Sequence, residues 1–337
     1  MLADIIITPA HWAGFIVCIL FLLALDLGVF HRSSHVVRFR EAIGWTTVWF
    51  CIAMGFAAFL YRFHDHEKAA LFITGYIVEV SLSMDNVFVI AVIFRYFKVP
   101  AQFQHRVLFW GILGALVMRG ALIAAGTVLV QRFEWLLYVL GALLIITGIK
   151  MLFSGDDGVH PEKNPIIRLA RRFFPVSLEY DGQRFLTPWR GVDSTVDRGA
   201  NPSTQPGGRA LSYPLGALAL TPLAIVLIMV ETTDLVFAMD SLPAIFGITQ
   251  DAFIIFTSNV FAILGLRSLY FALAEAIEYF VYLKYGLSVV LIFIGSKMVA
   301  KPWIELPTNL ALVIVAGIIL TSVLVSVLMA KLHHRKS

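Results

Sequence analysis

Five carboxylates stand within long apolar stretches of this 337-residue sequence. Glu79 and Asp85 lie in VEVSLSMDNVF, and Glu231, Asp234 and Asp240 lie in MVETTDLVFAMDSL. A charged side chain at the centre of a bilayer costs about 2.5 to 3.5 kcal/mol on insertion scales, and such residues usually mark an ion or proton pathway. We therefore expect these acids to bind a cation inside a membrane.

The neighbours of the acids supply further oxygen donors. In a helix, Asn86 shares one face with Glu79 and Ser83, which precede it by seven and three residues. Carboxylate, amide and hydroxyl oxygens suit Mg²⁺, Ca²⁺ or Mn²⁺ better than Zn²⁺ or Cu⁺. A thioether beside them would favour Mn²⁺, although methionine is also common filler in apolar helices. The auxiliary donors that we consider are Ser83, Met84, Met239 and Ser241.

Two arginines, Arg119 and Arg267, also lie within apolar stretches and would balance part of this charge. Five acids against two arginines leave a formal surplus of three negative charges, which one divalent cation would reduce to one. The alternative is a closed lock of ion pairs between two halves of the protein, which would bind no ion. The negative surplus favours a cation site, with the arginines neutralising the site when it is empty.

The composition of the chain excludes a water-soluble domain. Hydrophobic residues make up 59% of the sequence and charged residues 14%, and the mean hydropathy is +0.84. A helix needs about 20 mostly apolar residues to cross the hydrocarbon core. We predict an all-α polytopic membrane protein with about nine transmembrane helices. The predicted spans are roughly 12–30, 43–62, 70–94, 107–129, 134–153, 215–239, 253–274, 281–299 and 308–330.

The distribution of basic residues predicts the orientation of the chain. If the N-terminus is outside, 19 Lys and Arg residues fall on the inner side and five on the outer side. Basic residues collect on the cytoplasmic side, so we predict an inner-membrane protein with an external N-terminus and a cytoplasmic C-terminus. This topology accounts for the basic residues, and we expect no nucleic-acid binding. Without a P-loop or a hydrolase motif, we expect neither ATP-driven transport nor an enzyme.

An internal repeat relates two parts of the sequence. Arg119 follows Asp85 by 34 residues and Arg267 follows Asp234 by 33, and YVLGALLIITGIKM is similar to YGLSVVLIFIGSKM. Each unit holds three predicted spans, so the two copies would cross the membrane in opposite directions, as in many secondary transporters. We predict two peripheral helices in 1–66, repeat units in 67–153 and 213–300, a cytoplasmic loop in 154–212, and a last helix with a basic tail in 301–337.

Four motifs make the sequence resemble the TerC family of integral membrane proteins, including its Alx-type members. They are EVSLSMDNVFV, LTPLAIVLIMVETTDLVFAMDSLPAIF, TSNVFAILGLRSLYF and YGLSVVLIFIGSKM. The resemblance implies metal-ion homeostasis, Mn²⁺ export in several members, and an association with tellurite resistance. One departure is residues 191–219, which precede LTPL where family members usually pass more directly into the sixth span. The candidate cation-pathway residues in the matched motifs are Glu79, Asp85, Asn86, Glu231, Asp234 and Asp240.

These observations predict a secondary transporter that exports Mn²⁺ or a related divalent cation, in exchange for protons, by alternating access of its two halves. The metal is the substrate, and we expect no resident cofactor. In this hypothesis Asp240 and Ser241 form an outer gate or second ligand set. Membrane lipids and, at loop 154–212, other proteins are the further partners. The alternative function is a non-transporting membrane scaffold in the response to tellurite or metal stress.

Overall fold

The computed structural model describes residues 9–30, 39–63, 65–153, 175–177, 180–188, 218–276, 283–303 and 306–334. Most of the predicted loop 154–212 lies outside these residues. The described chain forms long α-helices and one small sheet. The helices are α1 Pro9–Phe30, α2 Phe39–Phe63, α3 His66–Tyr96, α4 Ala101–Arg132, α5 Leu136–Phe153, α6 Pro222–Phe246, α7 Ala252–Ala276, α8 Leu283–Ala300 and α9 Thr308–His334, and the strands are β1 Leu186–Pro188 and β2 Leu218–Leu220.

Six of these helices are long and apolar enough to cross a membrane: α2, α3, α4, α5, α6 and α7. Two shorter apolar segments, Trp12–Leu23 and Leu310–Ser326, lie within α1 and α9. Since only a helix satisfies all its own backbone groups in lipid, the chain is a helical polytopic membrane protein. A full set of nine transmembrane helices stays a prediction, as does the inverted repeat.

Side-chain caps fix where two of the helices, α3 and α6, begin. Asp65 accepts a hydrogen bond from the Glu67 amide (3.3 Å) at the start of α3. Thr221 accepts one from the Ala224 amide (3.3 Å) before α6, and Pro222 occupies the first turn, where a missing N–H is harmless. As a result α6 begins seven residues later than the predicted span 215–239 and continues through Pro243 to Phe246.

The apolar residues just before α6 form β2 instead of a helical turn. β1 and β2 pair antiparallel, with Leu186 opposite Leu220. The residues just before β1 pack on the end of the helix bundle, where the Tyr180 hydroxyl donates to the Phe97 carbonyl (2.8 Å). The Arg106 guanidinium lies 5.1 Å from the centre of the Phe185 ring. Part of the predicted loop is therefore folded against the α3–α4 turn, and β2 leads directly into α6.

The polar residues are positioned by a central group of helices around α3 and by the closely packed pair α5 and α8. α3 lies at the centre, packed against α2, α6, α7 and α9, while α4 packs against α6 and α7. α5 and α8 form the tightest pair through glycines. A Cβ atom at Gly148 would lie 2.8 Å from the Ser288 carbonyl oxygen, and one at Gly141 would lie 3.0 Å from that of Gly295. Small residues at these positions let the two backbones approach closely, as is typical between helices in membranes.

Candidate ion-binding site

Arg119 of α4 joins two of the predicted acids. Its side chain is 2% exposed. One Nη1–H group donates to the Glu79 carboxylate of α3. On the other side, Nε and Nη2 donate to the two oxygens of Asp234 of α6, at 3.1 and 2.8 Å. This bidentate arrangement uses the planar fork of the guanidinium, so one arginine connects three helices.

The ion pairs compensate for burying the charges. Glu79 is 1% exposed and Asp234 is 9% exposed. Taking charged groups out of water has a desolvation penalty of several kcal/mol per ion unless partners and hydrogen bonds offset it. Arg119 offsets one of the two negative charges, so the three side chains together keep one net negative charge. We call Glu79, Arg119 and Asp234 the arginine cluster.

Two polar side chains next to the arginine cluster keep unused acceptors. The Asn86 amide Nδ2 donates to Asp234 Oδ1 at 3.4 Å, whereas its Oδ1 is buried and accepts no hydrogen bond from the described residues. The buried Ser241 hydroxyl lies near Glu79 but makes no hydrogen bond of normal geometry within the same residues. Buried polar atoms are nearly always satisfied, so an unfilled acceptor marks a place for water or a ligand.

A cavity of about 60 Å³ lies beside the arginine cluster. Both unused acceptors line it, together with the carboxylates Asp85 of α3 and Asp240 of α6. Its volume exceeds the space of about 10 to 15 Å³ that one water needs, so an ion with some of its hydration fits. The remaining lining residues are Glu79, Leu82, Arg119, Thr147, Met151, Phe237, Leu287 and Leu291.

Asp85 and Asp240 differ from the acids of the arginine cluster. Both are half-buried, and neither makes an ion pair within 4 Å in the part of the chain described. Lys284 of α8 exerts an attraction on Asp85, and Lys150 of α5 exerts one on Asp240. Each lysine thus belongs to the predicted repeat unit opposite that of its aspartate.

Glu231 lies apart from the other acids. Its carboxylate rests against Gly114 of α4, where a Cβ atom would overlap it. Glu231 is half-buried and is not among the residues that line the cavity. Although it precedes Asp234 by three residues, the two side chains contact different parts of α4.

The structure also separates other predicted site residues from the cavity. Arg267 is 4% exposed within α7 and does not line the cavity. Ser83 is buried with an unpaired hydroxyl among the described residues, and Met84 packs against a hydrophobic core cluster. Met239 is 62% exposed.

By contrast, Asp240 and Ser241, which were predicted to form an outer gate or second ligand set, line the same cavity as Asp85.

The acids do not form a ready-made metal cage. Among the described residues, no three Asp, Glu, His or Cys side chains are grouped closely enough to hold a metal ion. Besides Glu79, which is paired with Arg119, the cavity offers the carboxylates of Asp85 and Asp240, the amide oxygen of Asn86 and the hydroxyls of Ser241 and Thr147. These are oxygen donors of the type that hard divalent cations accept.

The sequence did not predict that two lysines, Lys150 and Lys284, act on the aspartates of the cavity. Lys150 lies within the repeated segment YVLGALLIITGIKM, and Lys284 immediately precedes YGLSVVLIFIGSKM. The repeat could have indicated Lys150, since the similar segments YVLGALLIITGIKM and YGLSVVLIFIGSKM place α5 and α8 in corresponding positions. Nothing local distinguishes Lys284 from an ordinary basic residue at a helix end.

A polytopic helical protein with buried, partly compensated charges is the class that the fold and site define. Within that class, the chain belongs to the integral membrane protein TerC family, whose sequence model matches residues 64–337. This confirms the resemblance inferred from the four motifs. No solved structure matches the chain.

Relatives of known name match nearly the whole chain. The membrane protein STKORF319 of Myxococcus xanthus is 45% identical over 324 residues, which is 96% of this chain and 94% of that protein. A protein of Salmonella typhi named "putative membrane-bound redox modulator Alx" is 39% identical over 328 residues, covering 95% and 94% of the two chains. Its namesake in Escherichia coli strain K12 is 38% identical over 328 residues, with the same coverage.

Proposed function

We propose that this protein is a secondary transporter that exports Mn²⁺, or a related divalent cation, across the inner membrane in exchange for protons. The observation that carries the proposal is the cavity lined by Asp85, Asp240, Asn86 and Ser241. Two of its oxygen acceptors are buried and have no partner among the described residues. Two carboxylates with neutral oxygens suit a divalent ion that keeps part of its water shell.

Charge supports a cation as the substrate. Four carboxylates lie in or beside the cavity, and Arg119 is the only cation that pairs with any of them within 4 Å in the described residues. The lysines that act on Asp85 and Asp240 lie at the inner side in the predicted topology. A divalent ion or protons would neutralise the surplus charge, so exchange of one for the other keeps the site balanced in both states.

Arg119 would act as an internal counter-ion during the cycle. A guanidinium cannot lose its proton in a protein, so it stays beside Glu79 and Asp234 when the cavity is empty. Movement of either carboxylate toward the cavity would add a ligand for the metal and weaken its bond to Arg119. Binding and release would then be coupled to the packing of α3, α4 and α6.

Alternating access between two inverted halves is the mechanism that we propose for this movement. The cavity is lined by residues of both predicted repeat units, with α3, α4 and α5 on one side and α6 and α8 on the other. The equivalent helices α3 and α6 pack against each other, as do α5 and α8. Substrate sites at the interface of two repeats are typical of secondary transporters.

Transport of Mn²⁺ into inside-out vesicles containing the purified protein tests this function. With an imposed proton gradient, the wild type is expected to accumulate Mn²⁺, and Asp85→Asn should reduce the initial rate about tenfold because it removes a charged ligand. Glu134→Gln is the matched control, since Glu134 is an exposed acid between α4 and α5. Equal rates for wild type and Asp85→Asn would refute the mechanism.

The names of the Alx relatives supply the alternative, a regulatory or scaffold protein that moves no ion. The two cysteines of the present chain, Cys18 on α1 and Cys51 on α2, are exposed free thiols. Under this alternative, the vesicles accumulate no Mn²⁺, and the two cysteines are required for resistance to tellurite or metal stress in cells. Under our proposal, Cys18→Ala with Cys51→Ala transports Mn²⁺ at the wild-type rate.

A further inference from the structure

A second and larger cavity opens at the end of the bundle opposite the small sheet. Its volume is about 1000 Å³. It is formed where α3 and α5 begin and where α6 and α8 end. In the predicted orientation this is the outer side of the membrane, and we call this cavity the outer vestibule.

Charged side chains in the outer vestibule are sorted by depth. Asp65, His66, Glu67 and Lys301 line its rim and are exposed. Lys297 is half-buried and also lines a narrow recess that includes Thr74, whose side chain is 2% exposed. Thr74 lies eight residues beyond His66 along α3, which is about 12 Å at 1.5 Å per residue. Lys297 therefore lies at the floor of the vestibule.

A thin apolar layer separates this floor from the candidate ion-binding cavity. Six residues of α8 separate Lys297 from Leu291, a distance of about 9 Å along the helix. Along α3, five residues separate Thr74 from Glu79, or about 7.5 Å. The layer consists of tightly packed, buried apolar side chains, including Val78, Ile245 and Ile294.

We propose that Lys297 is an electrostatic barrier that holds external cations away from the transport pathway. Lys297 makes no ion pair within 4 Å among the described residues. A positive charge beside this narrow recess repels a divalent ion with twice the energy of a monovalent one. It would oppose return of an exported ion through the vestibule. The direction of transport rests on the proposed function, whereas the charge of the vestibule floor does not.

The vestibule charge can be measured without any transport. Ile248 lines both the vestibule and the recess that contains Lys297, so Ile248→Cys places a thiol there, in a Cys18→Ala, Cys51→Ala background. The reaction rates of this thiol with a cationic and an anionic methanethiosulfonate of similar size report the local potential. Lys297→Met should raise the ratio of cationic to anionic rates about fivefold.

Two further variants separate charge from structure in this measurement. Lys297→Arg keeps the positive charge, so its ratio should match that of the Ile248→Cys parent. Lys68→Met removes a positive charge at the same end of the bundle, where Lys68 lies 4.0 Å from Asp251 and outside the vestibule lining. It should change the ratio less than twofold. An unchanged ratio in Lys297→Met would overturn the assignment.

Transport then tests the barrier itself. In vesicles with the vestibule facing outward, Lys297→Met should increase the initial rate of Mn²⁺ influx about fivefold, and Lys297→Arg should not. Unchanged influx in a protein that transports Mn²⁺ would refute the barrier. If the wild type moves no Mn²⁺ in either direction, the proposed function fails, and the thiol ratio alone decides whether Lys297 sets the charge of the vestibule.

Discussion

Carboxylates in the centre of this protein occupy two very different surroundings. Glu79 and Asp234 are almost fully buried and are tied to one guanidinium. Asp85 and Asp240 face a cavity and are half-buried, with lysines acting on them from further away. The same chemical group therefore occurs in two states: the first pair links helices through Arg119, and the second pair lines a cavity, where under the proposed function it would bind the exchanged ion.

Removing Arg119 should have the largest effect on this contrast. Arg119→Met leaves two buried carboxylates without their counter-ion, which should lower the free energy of unfolding by about 3 to 5 kcal/mol. Thermal unfolding of the purified protein in detergent measures the loss. Arg132→Met is the control, since Arg132 is exposed at the end of α4. An unfolding temperature like that of the wild type would show that the cluster does not stabilise the fold.

Crowding the α5–α8 pair should have the next largest effect. In Gly148→Ala the new methyl group would lie 2.8 Å from the Ser288 carbonyl oxygen, so the helices must separate, at a cost of about 1 to 3 kcal/mol. The shift would also move Lys150 and Lys284 relative to the cavity. Gly44→Ala in α2 meets no neighbour within 4 Å and should be neutral or slightly stabilising in the same unfolding assay.

Neutralising Asp85, one of the two aspartates that line the cavity, should barely change the free energy of unfolding. Asp85→Asn keeps the shape of a side chain that has no ion pair within 4 Å among the described residues, so the free energy of unfolding should change by less than about 1 kcal/mol. Chemical denaturation can be compared directly with Asp234→Asn, which should be clearly destabilising. Equal losses in the two variants would remove the distinction between the two pairs.

The smallest effect, on both stability and transport, is expected when the neutral oxygen donor Ser241 is replaced. Ser241→Ala removes one buried hydroxyl that accepts no hydrogen bond from the described residues, so the fold should keep its stability. If this oxygen binds the ion, the Mn²⁺ concentration for half-maximal transport should rise about threefold, with the maximal rate unchanged. An unchanged concentration would exclude Ser241 from the ligand set.

Sequence reasoning identified the helices and the polar residues because both depend on local signals. Long apolar stretches indicate spans, and a carboxylate among them is conspicuous at once. The start of α6 was misplaced because residues 218–220 are as apolar as a span, yet they pair with β1 as a short strand. Thr221 and Pro222 are a helix-start signal that points to the correct boundary.

The grouping of the polar residues depends on helix packing and could not be predicted in the same way. Glu231 and Asp234 share a helix face by spacing, yet only Asp234 contacts Arg119, while Glu231 rests against Gly114. Asp240 lines the same cavity as Asp85 because α3 and α6 pack side by side. Such rotations and registers are set by contacts between distant segments, which a single sequence does not record.

The order of residues in the arginine cluster has a consequence for biosynthesis. Glu79 and Arg119 are 40 residues apart, whereas Asp234 follows Arg119 by 115 residues. At about 5 to 20 residues per second, a ribosome needs about 6 to 23 seconds between Arg119 and Asp234. The first ion pair can therefore form between newly inserted helices before the third member exists. Charge can then be buried in two stages, with α6 meeting a guanidinium that is already paired with Glu79.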